Sequence, residues 1–176
     1  MQLLATHEVF VGGKSGAELQ KDLLRAGIHL NAAAEQFLND PSFEQSSPMA
    51  LVKVAELSVG LLGFNQGATL PAILGAAASF GLMPCHPATG AHLRLLLADQ
   101  PEGAVGQPVT KGCAPPGSIT VISLPLSSDP AFPKGLYLRR IHGSLWLRGY
   151  RSDDEHTWAP GDHLVFNLGS GNRIAA

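Results

Sequence analysis

Apolar residues recur at helical spacing near the front of the chain and at alternate positions toward its back. Leu19, Leu23 and Ala26 share one side of a helix opened by Ser15, and Glu18 three residues later completes a capping box. Gly27 stands where a left-handed terminator belongs. Asn31 caps a second helix, from Ala32 to about Leu38, which Asn39 and Pro41 end. Together the two make a helical hairpin, and residues 7–11 before it read as a short strand or an extended lead-in. Residues 39–50 form a polar, Pro-bounded connection and the best candidate boundary. After it, residues 51–57 read as a strand. A third helix follows Thr69, with Pro71 in its first turn, runs to about Phe80 and stops at Gly81.

Beyond Gly81 the period changes to two. Residues 91–98, 119–124, 136–141, 144–150 and 163–168 are strand candidates, with His142-Gly143 as a two-residue hairpin turn between the third and fourth. Loops rather than helices join them, which predicts antiparallel pairing. The segment 99–117 is a long loop of the kind that is usually either mobile or functional. The expected fold is therefore α+β: an N-terminal helical hairpin and a third helix packed on a C-terminal antiparallel sheet of about five strands. Two units, 1–48 and 49–176, and one single domain, 1–176, both fit the pattern.

The hairpin carries the most detail. A turn at His142-Gly143 sets Ile141 against Ser144, Arg139 against Trp146 and Tyr137 against Arg148. Leu138, Leu145 and Leu147 then go to the core, and Tyr137, Arg139, Trp146, Arg148 and Tyr150 share the other face. Arg139 and Arg148 cannot be buried unpaired without a large desolvation cost, so this face must meet water, an anion or an acidic partner. Guanidinium groups beside flat rings suit a carboxylate or phosphate; the plain alternative is a sheet surface stabilised by its own cross-strand pairs.

Composition narrows the setting. Only 15% of the 176 residues are charged, which leaves a surface of small and neutral groups that suits self-association into a homo-oligomer. The net charge of −2 gives the chain no general attraction to nucleic acid or anionic lipid. The first residues lack the basic and apolar runs of a secretory signal, residues 70–85 are too short to span a bilayer, and two cysteines make no disulfide framework. A cytoplasmic location is expected, without membrane association.

Motif by motif, the bland readings prevail. Gly12-Gly13-Lys14-Ser15 resembles the end of a phosphate loop, but Glu8 stands where the first glycine is needed. The second helix of the hairpin has no Lys or Arg, which disfavours a DNA-reading role. Cys85, His86, His92 and Cys113 are ligand types for zinc without closed-site spacing. His163 and Asn167 after Pro160-Gly161 resemble the second cupin metal motif, with one residue too few before the histidine and no upstream H-x-H. Asp153, Asp154 and Glu155 before His156 read as a solvated turn rather than an acid–base centre. No metal and no cofactor is expected.

Gly81-Leu82 with Cys85, the run H-L-R-L-L-L-A-D-Q-P-E-G at 92–103, S-L-W-L-R-G at 144–149 and W-A-P-G-D-H-L-V-F at 158–166 are similar to an uncharacterised bacterial protein family. The resemblance covers about residues 51–168. It implies the helix-then-sheet order and carries over no activity and no catalytic residue.

The functional expectation is a non-catalytic binding or regulatory domain, taking a protein partner or a small anionic ligand. Its surface would be the aromatic–basic face or the 99–117 loop. One alternative is a small enzyme acting on an anionic molecule in a cleft between sheet and loop. There Arg94 would steer the substrate while His92 or His142, with Asp99, moves a proton. The other is nucleic-acid binding through the 136–151 hairpin, with Tyr137 and Trp146 stacking on bases.

Overall fold

The computed structural model describes residues 2–43, 49–104 and 114–169. Among them the chain is α+β, with four α-helices interleaved with the strands of an eight-stranded mixed sheet that curls like half a barrel. In chain order these are β1 (Ala5–Val11), α1 (Gly16–Arg25), β2 (His29–Leu30), α2 (Ala32–Leu38) and β3 (Ala50–Ser58). A 3-10 turn, Val59–Leu62, leads to β4 (Ala68–Thr69), α3 (Leu70–Ser79), β5 (Leu82–Met83) and α4 (Thr89–Leu96). Then come β6 (Ile119–Val121), β7 (Gly135–Ile141), β8 (Ser144–Tyr150), β9 (Thr157–Trp158) and β10 (His163–Leu168). The main sheet runs β1-β3-β10-β6-β7-β8-β2 with β5 also on β10, and β4 pairs with β9 apart from it.

The local signals at the front hold. Ser15 Oγ accepts from Glu18 N while the Glu18 carboxylate accepts from Ser15 N, and Gly27 follows α1 at φ 71°. Asn31 Oδ1 accepts from Ala34 N at 2.9 Å and from Gly149 N at 2.8 Å, so one side chain starts α2 and ties it to β8. Seven residues are too few for a helix that stands alone. Packing holds α2 instead: Phe37 and Leu38 are fully buried, each contributing about 1.5–3 kcal/mol.

Four expectations are overturned. Helix and sheet are not divided between front and back: β1 and β3, from the first third of the chain, lie beside β10. The helical hairpin is interrupted by β2, which adds to β8 in parallel. Parallel pairing recurs between β10 and β6, so the sheet is mixed rather than antiparallel. Finally, residues 91–98 are not a strand but most of α4. Ala91, Leu93, Leu95 and Leu97 alternate, yet Thr89, Gly90, Ala91, Leu93 and Arg94 are the residues buried, related by steps of three and four. A short apolar run does not distinguish the two periods by itself.

The sheet separates two cores. Val9, Val11, Val54, Val165, Ile119, Leu138 and Leu147 join α1, α2 and α4 on one face. Ala55, Leu57, Leu164, Phe166 and Ile122 join α3 and Trp158 on the other. The described residues include no helix long and apolar enough to cross a membrane.

Candidate functional site

The strands β1, β3 and β10 each place one polar side chain in phase with core valines: His7 with Val9 and Val11, Glu56 with Val52 and Val54, and His163 with Val165. Val165 lies opposite Glu56, and Ala5 opposite it on the other side. His163 and His7 are thus diagonal neighbours of one carboxylate on one face. His163 Nδ1 is 2.7 Å from Glu56 Oε1, and His7 Nε2 is 3.7 Å from Glu56 Oε2. The second separation is too long for a hydrogen bond, and His7 Nε2 is buried with no hydrogen-bond partner among the described residues. The Glu56 hydrogen bond raises the His163 imidazole above its ordinary value, against the opposing effect of burial.

This group forms one wall of a cavity of about 440 Å³. The rest of the lining comes from both ends of the long loop, Leu96 to Pro101 and Ala114 to Ile119, and from Gly161 and Asp162. Asp162 is buried, and its Oδ2 accepts from Ala159 N at 2.9 Å and Ala114 N at 3.4 Å. Burial raises its carboxyl above the ordinary value in spite of those two donors. Glu56, Asp99 and Asp162 are the acidic groups of the lining, and no Lys or Arg lines it among the described residues.

The loop's two ends are locked together. A side chain added at Gly103 would sit 2.1 Å from Pro116 O, and one at Gly117 would sit 2.5 Å from Gly103 Cα, so both positions need glycine. Glu102 then reaches the hairpin turn, accepting from His142 N and, at 3.1 Å, from Gly143 N. Arg94 fastens the same wall from behind. It is fully buried and donates to Gln100 Oε1 and Leu97 O, while Gln100 Nε2 donates to Gly117 O at 2.9 Å and Leu138 O at 3.2 Å. Burial lowers the Arg94 guanidinium to about 10.

The residues expected from sequence are therefore spread over several places. Of those assigned to the enzyme alternative, Asp99 lines the cavity while Arg94 lies behind its wall. His92, on α4, has Nε2 buried and unpartnered among the described residues, and burial lowers its imidazole. His142 occupies the hairpin turn at φ 48°, with Gly143 at φ 76°, as a tight hairpin requires. Its register is the expected one, with Arg139 opposite Trp146 and Tyr137 opposite Arg148. Tyr137 is buried, whereas Arg139, Trp146 and Arg148 are half-buried. Arg148 Nε donates to Tyr137 Oη at 2.8 Å and its guanidinium lies 5.3 Å from the Trp146 ring centre. His29 of β2 stacks on Trp146 at 4.8 Å. Arg139 Nε is buried with no partner among the described residues. Cys85 is buried, its thiol raised to about 12, and it donates to Val165 O at 3.7 Å; Cys113 lies outside the described residues.

His7 and Glu56 were missed by sequence reasoning, and His163 was weighed only as a metal ligand. The signal was present: each is a polar residue at a core-facing position of an alternating strand. Comparison with protein-family models, curated proteins and solved structures finds no match for this chain.

Proposed function

We propose that the chain is a binding domain for a small, amine-bearing molecule, seated in the cavity between the β1-β3-β10 edge and the two ends of the long loop. The observation that carries this is the buried carboxylate of Glu56, held between two imidazoles on the wall of a cavity lined by three acidic side chains and, among the described residues, no Lys or Arg. A buried carboxylate gains most from a partner that brings positive charge and N–H donors together. An anionic ligand, one of the expectations from sequence, would meet that carboxylate at close quarters. Leu96, Leu97, Ile119 and the prolines of the loop supply apolar walls for the rest of the molecule.

Benzylammonium is a suitable probe, titrated calorimetrically at fixed ionic strength. Saturable binding that weakens about tenfold or more in Glu56→Gln is expected, from loss of a charge-assisted contact. Equal binding by the two proteins would overturn the reading.

One observation favours a second reading, proton-transfer catalysis in the same cavity. An imidazole oriented by a carboxylate at 2.7 Å is the usual arrangement of a general base. Its test is hydrolysis of p-nitrophenyl acetate, which should rise with pH as His163 loses its proton and vanish in His163→Gln.

A further inference from the structure

A second cavity, of about 240 Å³, opens beside the aromatic–basic face of the sheet. Thr120, Tyr137 and Arg148 stand in one row across β6, β7 and β8, and all three line it. Its electrostatics are the reverse of the first cavity's. Arg148, Arg151 and His156 contribute to the lining, and no Asp or Glu does among the described residues. Arg151 is committed elsewhere through Ala131 O and Gln36 Oε1. Arg148 is held by Tyr137 Oη and Trp146, which leaves its terminal amino groups without a partner among the described residues. No carboxylate pairs with it there either. Trp158, 3% exposed, lines the same cavity, and its indole N–H is buried without an acceptor among the described residues.

We propose that this cavity binds a small planar organic anion, an aryl carboxylate in chemical class, through the terminal edge of Arg148 and the indole N–H of Trp158. A half-buried guanidinium and a buried N–H without acceptors are both satisfied by one anionic group. The guanidinium is already oriented by its Nε contact and its ring contact, so little ordering is left for binding to supply. The flat walls point to a ring on the ligand. Tyr150 meets Trp158 edge-on at 5.8 Å, and His156 meets it edge-on at 5.1 Å. A space worth about eight water molecules by liquid volume also exceeds what inorganic phosphate needs. The two cavities share Ala114 and Pro115 in their linings, but the strand side chains that carry the two readings, Glu56 and His163 for the amine and Thr120, Tyr137 and Arg148 for the anion, face opposite sides of the sheet.

Sodium benzoate is the probe, with inorganic phosphate and benzylammonium as controls, each titrated calorimetrically at fixed ionic strength. Benzoate is expected to bind at one saturable site and phosphate much more weakly. Arg148→Met should weaken benzoate at least about tenfold, and Trp158→Phe, which keeps a ring and loses the N–H, about three- to tenfold. Glu56→Gln should leave benzoate unchanged while losing benzylammonium, so the two sites fail separately. Circular dichroism checks each fold. If Arg148→Met does not fold, Arg148→Lys, which keeps charge and loses the fork, must still weaken benzoate. Absence of saturable benzoate binding, phosphate binding as tightly as benzoate, or unchanged affinity in both the Arg148 and Trp158 variants would overturn the proposal.

Discussion

His163 Nδ1 meets Glu56 Oε1 at 2.7 Å across the diagonal between β10 and β3. The hydrogen bond to the carboxylate raises the imidazole above its ordinary 6.5. A pKa raised in the folded state stabilises fully below the unfolded value and loses that contribution as pH rises through the folded one. The melting temperature of the native chain should therefore fall relative to His163→Gln from pH 6.5 upward. The effect should be small, because the side chain is 43% exposed and solvent screens the pair. A proton NMR titration placing His163 at or below 6.5 would show that the pair does not form in solution.

Arg94 is a buried cation whose described partners are neutral oxygens. Truncation to Ala removes a large side chain and leaves Gln100 Oε1 and Leu97 O without their donor, for a loss of about 2–4 kcal/mol. Arg94→Met keeps most of the volume and removes the charge, and should cost markedly less in urea denaturation. Equal losses would mean that the oxygens, not the space, are what Arg94 serves.

How much of this was legible in the residues depends on distance along the chain. Ser15 with Glu18, Asn31 and His142-Gly143 act on neighbours within a few positions, so their caps and turn, and with the turn the whole register from Gly135 to Tyr150, followed from local chemistry. The parallel pairing of His163 with Ile119 joins segments more than forty positions apart and leaves no local mark. α4 was misread because its apolar run satisfies two periods at once. Arg94 looked like a site residue because it is charged; only its burial reveals that it holds the cavity wall. Glu56 was readable in principle, as an acid in step with Val52 and Val54, but not as a pair with His163, which depends on β3 and β10 being neighbours.

The Glu102 carboxylate accepts from two successive backbone N–H groups of the hairpin turn, and these contacts hold its pKa below the ordinary 4.5. Here the sign is the opposite of the His163 case: the stabilisation is present above the unfolded value and is lost as pH falls through the folded one. The acid side of the stability curve should be shallower for Glu102→Gln than for the native chain below pH 4.5. In Glu102→Ala the amide hydrogens of His142 and Gly143 should exchange faster, with the rest of β7 and β8 unaffected. Unchanged exchange at both amides would show that the contact is not kept in solution.

Gly103 and Gly75 make opposite predictions for the same substitution. At Gly103 a Cβ would lie 2.1 Å from the Pro116 carbonyl oxygen and 2.3 Å from its carbon, backbone atoms that cannot turn aside. Gly103→Ala must part the two ends of the loop, and overpacking of that kind costs about 1–3 kcal/mol. The same movement displaces Pro116 and Gly117, which line the cavity with Glu56, so benzylammonium binding should weaken with stability. Gly75 lies within α3, and a Cβ there meets nothing within 4 Å. Gly75→Ala should instead stabilise by about 0.5–1 kcal/mol, because Ala loses less conformational freedom in a helix. It should leave benzylammonium binding unchanged. Urea denaturation of the two variants, with the titration repeated on each, gives both answers. A Gly103→Ala protein as stable as the native chain would mean that the loop ends are not held together, and the cavity would lose the wall on which the amine site depends.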